Sequence, residues 1–333
     1  MNDFISIIIC HHAGTLVNKA VDTIYKLTKE VKFEIIVASS VKEWNDPRVR
    51  KVFVEGQPAY RRNYATLFAH GNYIAYFDDD IEATETSVTE LYKVLVKNPH
   101  VGMAFGKLLN MEFRNRFDEA GGYLTSCGFI WARAENGVVD SGQYQVTEPI
   151  FAGKSAACMI KRNTFFKVGG FDKRMGILGE ESDLAWRVWL SGEQVYYAPR
   201  SVTFHAFGTK FKDTKFFYTN KRVYFNGPRN YLIMLLANLE LKNVFCIIPI
   251  NAIMWIIAGI GMFVKGKFMA STLIFRGLFD VLRSWRWVAK KRQVVKSIRK
   301  ASDSELFRLI RKSPPPSYFF KRLLQYLTTG RHG

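Results

Sequence analysis

Short apolar runs alternate with helix-like segments through the first hundred residues, and this alternation limits the fold more than any other feature. Phe4–Cys10 is a continuous apolar run rich in isoleucine, and Phe33–Ala38 and Tyr73–Phe77 are also apolar. Such runs are typical of strands buried on both faces of a parallel sheet. Between the first two, apolar residues recur at helical spacing over residues 17–27. The pattern therefore predicts an α/β fold, a doubly wound sheet with helices on both faces.

Polar residues follow three of the predicted strands, and ligands of such sheets bind at the carboxyl ends of strands. These residues are the loop His11–Thr15, Ser39 with Ser40, and the acidic triplet Asp78–Asp80. Alternate residues of an extended segment face the same way, so Asp78 and Asp80 can converge on one point while Asp79 points elsewhere. Adjacent carboxylates repel one another unless they are solvated or bind a cation. A solvated turn would explain an isolated run, but its position at a strand end favours an Mg²⁺ or Mn²⁺ site completed by phosphate oxygens.

A second acidic group, Glu180, Glu181 and Asp183, opens a predicted helix over 181–191. Carboxylates near a helix N-terminus are favoured by the helix dipole, so capping alone would explain them. A carboxylate in a cleft can also act as a general base that deprotonates a hydroxyl. Arg187 lies one turn from Asp183 and is expected to pair with it.

Three further positions carry weaker signals. His205 ends a predicted strand and precedes a basic stretch that includes Lys210, so it could ligate a metal while the stretch covers a diphosphate; a lone histidine is otherwise structural. Arg62 and Asn63 lie early in a predicted helix, as a surface pair or as contacts to phosphate or ribose.

The net charge of +19 is concentrated at one end of the chain. Residues 265–333 contain 17 lysines and arginines against three acidic residues, which accounts for 14 of the 19 positive charges. A basic tail beside an apolar segment favours anionic membrane lipids as partners. The globular part has no clear set of basic residues interleaved with aromatics, so nucleic acid is not expected. Four well-separated cysteines and a non-basic N-terminus predict a location on the cytoplasmic face of a membrane.

Residues 244–264 contain no charged side chain and are long enough to span a bilayer. Pro249 and Asn251 interrupt the segment, and basic residues flank both of its ends, which a single span would place on opposite sides. A transmembrane helix, a bent or re-entrant hairpin, interfacial insertion and a soluble core helix all remain open. We expect two regions: a nucleotide-binding catalytic domain over 1–230 and a basic, helical, membrane-associated region over 231–333.

Taken together, these motifs resemble glycosyltransferase family 2, whose members have the GT-A fold. The resemblance covers about residues 4–230, and its closest branch is the rhamnosyltransferase-like enzymes with membrane-associating C-terminal helices. It rests on motifs in a fixed order: Ser6–Cys10, Glu34–Val37, Arg62-Asn63, Tyr73–Asp80, Val168–Asp172, Glu180–Arg187 with Gly192, and His205.

The resemblance implies an inverting, metal-dependent enzyme that moves a sugar from a nucleotide-sugar donor to a hydroxyl of a lipid-linked or surface glycan. Glu181 would be the base, with Glu180 and Asp183 as alternates. Asp80, Asp78 and His205 would bind Mg²⁺ or Mn²⁺. The expected donor-binding residues are His11, Ser39, Arg62, Asn63, Asp78 and Lys210. The expected acceptor-side residues are Gly153, Lys154 and Trp186.

One departure from the family pattern concerns the nucleotide. Ser39 stands where the family usually has an aspartate that reads the base, so the nucleotide is not defined by the sequence. Two other functions remain open: loading of a sugar onto a polyprenyl phosphate, and non-catalytic binding at a membrane surface by a degenerate fold. The latter predicts missing acidic residues, whereas Asp78, Asp80, Glu181 and His205 are all present.

Overall fold

A computed structural model describes residues 3–12, 14–134, 136–206 and 221–329. The strands in this part of the chain are β1 (Phe4–His11), β2 (Lys32–Ser39), β3 (Arg50–Phe53), β4 (Tyr73–Asp78), β5 (Ile81–Ala83), β6 (Val101–Asn110), β7 (Phe117–Glu119), β8 (Gly122–Leu124), β9 (Ile130–Ala132), β10 (Glu148–Pro149), β11 (Ala157–Lys161) and β12 (Gln194–His205). The helices are α1 (Leu16–Leu27), α2 (Pro58–Thr66), α3 (Thr89–Lys97), α4 (Arg162–Lys167), α5 (Glu180–Leu190), α6 (Lys221–Asn238), α7 (Leu241–Val264), α8 (Phe268–Arg283), α9 (Trp285–Ile298), α10 (Asp303–Ile310) and α11 (Pro316–Thr329).

The main sheet is mixed, with the strand order β10-β12-β6-β11-β4-β1-β2-β3. Strands β4, β1, β2 and β3 run parallel, and β12 runs parallel to β6. Strand β11 is antiparallel to both of its neighbours, β4 and β6. Two successive reversals give β6 and β12 the same direction as β4. One edge of the sheet therefore holds the carboxyl ends of β1, β2, β4, β6 and β12. The N-terminal end of the antiparallel strand β11 lies at the same edge.

Helices cover both faces of the sheet, as the sequence predicts. In β1, Ile5, Ile7 and Ile9 pack into a core with α1 and α3, whereas Ile8 and Cys10 pack into a core on the opposite face. The second core includes residues of α2, α5, α6 and α9. The side chains of a strand alternate between faces, so a continuous apolar run is what a strand between two cores requires.

Strand β12 differs from its predicted form. The sequence indicates two short strands, Gln194–Tyr197 and Val202–His205, whereas the structure has one strand from 194 to 205. The pairing with β6 shifts register between Ala198 and Val202, which explains the break in the apolar pattern. Such an irregularity leaves the strand continuous but changes the direction in which the side chains after it point. It brings His205 to the edge where β4 ends.

The apolar segment near the C-terminus forms one helix, α7, that continues through Pro249. Of the alternatives that the sequence leaves open, a hairpin or re-entrant break within residues 244–264 is not what the structure has. Asn251 lies on the buried side of α7, where its Nδ2 donates to the Cys127 carbonyl oxygen at 2.9 Å. The polar side chain of Asn251 therefore binds the globular part of the protein and does not interrupt the helix.

Of the helices in the described residues, α7 alone is long and apolar enough to cross a bilayer, judged by length and composition, with a mean hydropathy of 2.2. One side of α7 packs inward through residues that recur at a spacing of three or four: Ile247, Asn251, Trp255, Ala258 and Met262. The other side exposes Ile250, Ile253, Ile257, Ile260 and Phe263. The expected boundary at residue 230 falls inside α6, which packs against α8 and α9.

Candidate active site

A cleft of about 1840 Å³ lies along the carboxyl edge of the sheet. Its polar end is formed by the ends of β1, β4 and β12, by the segment 152–156 before β11, and by the start of α5. Its other end is apolar and is formed by α6, α7 and α11 together with Phe129 and Ile130. The sheet topology explains this position, because β1, β4, β6 and β12 all end at the cleft.

Two acidic side chains and a histidine meet at the polar end. Asp78, Asp80 and His205 each place a ligand atom within 4.8 Å of the others. His205 Nε2 lies 3.3 Å from Asp80 Oδ1 and 4.0 Å from Asp78 Oδ2. Ligands of an octahedral ion at about 2.0–2.1 Å are separated by roughly 3–4 Å from one another. The three side chains therefore fit one divalent cation and leave positions open for other ligands. Asp79 turns away and accepts a hydrogen bond from the His12 backbone nitrogen at 3.1 Å.

The far side of the His205 ring is held by Asp118, which sequence reasoning did not identify. His205 Nδ1 lies 2.8 Å from Asp118 Oδ2, and Lys154 Nζ donates to Asp118 Oδ1 at 2.8 Å. Burial alone would raise the pKa of Asp118, but the charge of Lys154 and the His205 hydrogen bond outweigh it and lower that pKa. Burial opposes protonation of His205, but its hydrogen bonds to Asp118 and Asp80 raise its pKa to about 10. The ionised Asp118 orients the ring so that Nε2 faces Asp80.

Replacing Asp118 with asparagine is expected to weaken Mn²⁺ binding by about 10- to 100-fold, because carboxylates behind metal-binding histidines fix the ring and raise its basicity. Titration with Mn²⁺, followed by calorimetry, measures the change. Asp140→Asn is the matched control, since Asp140 forms a comparable ion pair with Lys107 at 2.7 Å outside this cluster. Equal Mn²⁺ affinities for Asp118→Asn and wild type would contradict the assignment.

Arg62 connects the acidic triplet to the first turn of α5, which carries Glu180 and Glu181. Its buried guanidinium donates to Asp78 Oδ1 at 2.8 Å and to Glu180 Oε1 at 3.2 Å. A guanidinium holds two carboxylates in a fixed geometry better than an ammonium does. Arg62 therefore sets the distance between the β4 end and the start of α5.

The start of α5 presents two carboxylates to the cleft. Glu180 is buried against Arg62, whereas Glu181 is partly exposed and faces the cleft. Burial raises the pKa of both groups, and the charge of Glu181 raises that of Glu180 further. A raised pKa suits a carboxylate that must take up a proton near neutral pH. Glu181 is thus the carboxylate at this helix start that a substrate can reach.

The segment before α5 has an uncommon backbone. Leu178 and Gly179 both have positive φ values, 74° and 90°. A left-handed leucine is rare and persists only where neighbouring contacts hold it. Asn230 Nδ2 donates to the carbonyl oxygens of Met175, Ile177 and Leu178, at 3.0, 3.2 and 2.8 Å. Helix α6 thereby fixes the loop that aims the first turn of α5.

Two predicted residues of α5 lie outside the cleft. Asp183, expected as an alternate base, is fully buried and pairs with Arg187 at 2.8 Å, as the spacing predicts. Trp186, expected on the acceptor side, is fully buried and packs against Phe151 in the core. Both expectations are wrong, because residues two and five positions after Glu181 in a helix face away from it.

Three predicted donor-binding residues also lie behind the cleft surface. The His11 ring is buried between Ser39 Oγ at 3.0 Å and the Gly14 carbonyl oxygen at 3.2 Å. Ser39 is fully buried, and its hydroxyl donates to the Val41 carbonyl oxygen at 3.1 Å. Asn63 forms two hydrogen bonds with the backbone of Phe171, at 2.7 and 2.9 Å. In the structure these three side chains support the loops around the site and do not line the cleft.

The remaining predicted residues divide between the cleft and the part not described. Gly153 and Lys154 line the cleft beside Asp118, and a Cβ at Gly153 would lie 2.8–2.9 Å from the Phe105 side chain. Lys210 lies outside the described residues. Glu119 also lines the cleft and was not predicted; burial raises its pKa to about 7, against the nearby charge of Lys154.

No family model matches the chain. Two curated relatives match parts of it. O-antigen biosynthesis protein RfbC of Myxococcus xanthus is 24% identical over 208 residues, which is 57% of this chain and 16% of the relative. A Drosophila melanogaster protein provisionally named polypeptide N-acetylgalactosaminyltransferase 13 is 29% identical over 156 residues, which is 44% of this chain and 27% of the relative. The chain thus spans about a sixth and about a quarter of the length of these relatives.

A solved structure matches over most of the chain. The mannosyltransferase PcManGT of Pyrobaculum calidifontis, in complex with GDP-Man and Mn²⁺, superposes with a TM-score of 0.50 at 15% sequence identity. The match covers 88% of this chain and 86% of that structure. The chain has an α/β GT-A fold with several helices after it, which is the fold that the resemblance implies.

Proposed function

We propose that the protein is a metal-dependent glycosyltransferase that transfers a sugar from a nucleotide-sugar donor to a hydroxyl group. One observation carries the proposal: a three-ligand cation site and a reachable carboxylate with a raised pKa line the same cleft of a GT-A fold. The Drosophila relative and the matching structure are both named as sugar transferases, which supports this reaction class, and the other relative is named for O-antigen biosynthesis.

Asp78, Asp80 and His205 would hold the cation, whose role when bound is to neutralise the charge of the nucleoside diphosphate that departs. Two carboxylates suit Mg²⁺ or Mn²⁺, and the imidazole nitrogen favours Mn²⁺ of the two. The matching mannosyltransferase structure contains Mn²⁺. The donor diphosphate then lies beside Arg62, at the ends of β1 and β4.

Glu181 would act as the general base in an inverting transfer. Its carboxylate takes the proton of the acceptor hydroxyl as the acceptor oxygen forms a bond to the anomeric carbon. The bond between that carbon and the diphosphate oxygen breaks, and the electron pair leaves with the nucleoside diphosphate. Arg62 keeps the Glu180–Glu181 turn at a fixed distance from Asp78, so base and donor meet in one geometry.

The acceptor we propose is a lipid-linked glycan. The apolar end of the cleft is lined by Met254, Trp255 and Ala258 of α7 and by Tyr318, Phe319, Leu323 and Tyr326 of α11. Helix α7 lines the cleft with one side and exposes isoleucines on the other. A hydrocarbon chain that enters the membrane along α7 would place an attached sugar at the polar end. This arrangement supports a location at a membrane surface, and we propose the cytoplasmic face from the sequence.

Membrane attachment through α7 is expected to resist salt and alkaline carbonate. Wild-type protein should stay in the membrane pellet after carbonate extraction, since about 25 cal/mol is gained per Å² of apolar surface removed from water. A variant with Ile253, Ile257 and Ile260 replaced by serine should be released. Full release of the wild type by high salt alone would contradict insertion of α7.

A second possible function, transfer of the sugar to a polyprenyl phosphate, is supported by two arginines in the cleft. Arg222 and Arg322 line the cleft beside its apolar end, where they could hold the phosphate of a polyprenyl phosphate that accepts the sugar directly. The reaction product distinguishes the two: one sugar on a lipid monophosphate, or one sugar added to an existing glycan.

Turnover with a panel of UDP-, GDP- and dTDP-sugars tests the proposed function. Purified protein with Mn²⁺ and lipid-linked glycan extract should release a nucleoside diphosphate from at least one donor. Chelation of Mn²⁺ with EDTA should abolish that release. Release that is the same with and without EDTA would contradict a metal-dependent transferase.

A further inference from the structure

The side of α5 opposite Glu181 is held by helix α9. We propose that α9 positions the general base, and that Lys291 is the positioning residue through which it acts. The inference rests on the proposed function in one respect, the assignment of Glu181 as base.

The contact is a buried cluster of charges. Lys291 Nζ lies 2.7 Å from Asp183 Oδ2 and 2.8 Å from Asp172 Oδ2, and the Lys291 side chain is 7% exposed. Arg187 Nε and Nη2 donate to Asp183 Oδ2 at 3.0 and 2.8 Å. Asn238 Nδ2, at the end of α6, donates to Asp183 Oδ1 at 2.8 Å. The carboxylate of Asp183 is thus tied to α9, to α6 and to its own helix.

The same cluster of charges includes Asp172, which lies between α4 and α5. Trp287 Nε1, one turn earlier on α9, donates to Asp172 Oδ2 at 3.1 Å. Burial would raise the pKa of Asp183, but the charges of Lys291 and Arg187 outweigh it and lower that pKa to about 2. Lys291 therefore supplies one buried positive charge that Asp172 and Asp183 share.

The segment after α9 holds the other end of α5. The Lys300 backbone nitrogen donates to the Leu190 carbonyl oxygen, the last residue of α5, at 2.7 Å. A helix of 11 residues is about 16 Å long, so α9 and the residues after it hold α5 near both ends. Residues two apart in a helix point about 200° apart, which places Asp183 against α9 when Glu181 faces the cleft.

Removal of the Lys291 ammonium changes the first turn of α5 in a defined way. Asp172 and Asp183 would face each other without the cation they share, and burial makes their repulsion costly. The preceding residues, Leu178 and Gly179, have left-handed conformations that depend on neighbouring contacts. The first turn is then expected to rotate and carry Glu181 outward, away from the hydroxyl it must reach. The cation site at β4 and β12 has no contact with Lys291 among the described residues.

The test compares Lys291→Met with Lys290→Met, the neighbouring lysine, which is exposed. For Lys291→Met we expect kcat to fall about 10- to 100-fold, the effect of a displacement of about 1 Å at a reacting group. The affinity for a nucleoside diphosphate with Mn²⁺ should be unchanged. The acidic limb of the pH profile of kcat/KM should move to lower pH, because Glu181 loses the burial that raises its pKa. Lys290→Met should behave as wild type.

Two more variants keep the test decisive. Asp172→Asn/Lys291→Met restores the charge balance and serves where Lys291→Met does not fold; kcat should stay low because Asp183 still lacks its link to α9. Lys291→Arg, which keeps the cation, should recover part of kcat. The proposal is overturned if Lys291→Met matches Lys290→Met, or if kcat and diphosphate binding fall together. Absence of transfer by the wild type, with Glu181→Gln identical to it, would instead refute the proposed function.

Discussion

Replacing Glu181 with glutamine is expected to lower kcat by about 10²- to 10⁴-fold, the usual contribution of a general base. The amide keeps the size of the side chain and its place at the start of α5, but it cannot take the acceptor proton. Glu181 does not hold the fold together through any ion pair in the described residues, so thermal stability should be unchanged. Initial rates of nucleoside diphosphate release, at saturating donor and Mn²⁺, measure the effect.

The matched control for this variant is Glu85→Gln, which neutralises an exposed carboxylate between β5 and α3, outside the cleft. Its rates should equal those of the wild type. Glu180→Gln gives a second comparison, because Glu180 is buried against Arg62 and its loss should disturb the turn as well as the chemistry. If Glu181→Gln keeps near-full activity while Glu180→Gln loses it, the base is Glu180 and the assignment made here is wrong.

Replacing Asp80 with asparagine is expected to abolish Mn²⁺-dependent donor binding and, with it, transfer. Asp80 Oδ1 lies 3.3 Å from His205 Nε2, closer than Asp78 Oδ2 at 4.0 Å, so an ion bound by His205 is expected to contact Asp80 as well. An amide oxygen carries no charge and binds a hard cation far more weakly. We expect at least a roughly 100-fold loss of kcat/KM, in line with metal sites that lose an anionic ligand.

Asp79→Asn is the control for this second substitution. It changes the neighbouring residue by the same atoms, and its side chain accepts from the His12 backbone nitrogen, which an amide oxygen can also do. Activity and Mn²⁺ affinity should stay close to the wild type. Similar losses in Asp79→Asn and Asp80→Asn would show that total negative charge matters here and that no specific ligand geometry is present.

The main features of the fold could be predicted because they depend on local patterns. The run Phe4–His11 alternates between two cores, and both cores need apolar residues, so its sequence is apolar throughout. The resemblance implies that Asp78 and His205 share a metal site, and the structure gives the reason: both end strands whose carboxyl ends meet at one edge of the sheet. Pro249 could not be interpreted in this way, since neighbouring packing decides whether a helix continues through a proline.

The supporting residues of the site could not be predicted because nothing local marks them. Asp118 and Glu119 lie in a segment without clear periodicity, and their position depends on pairing between β6 and β7. Lys291 is one of many basic residues in the last third of the chain, and only tertiary packing separates it from Lys290. Trp186 and Asp183 are expected near the substrate from the sequence, but the helix turns both side chains into the interior.

The central claim is that Asp78, Asp80 and His205 hold a divalent cation that binds a nucleoside diphosphate. Calorimetric titration of the purified protein with UDP and with GDP, in Mn²⁺ and in EDTA, tests it most directly. We expect one binding site for at least one of the two nucleotides, saturable in Mn²⁺, absent in EDTA and absent in Asp80→Asn. Nucleotide binding of equal affinity in Mn²⁺ and in EDTA, or unchanged binding by Asp80→Asn, would contradict it.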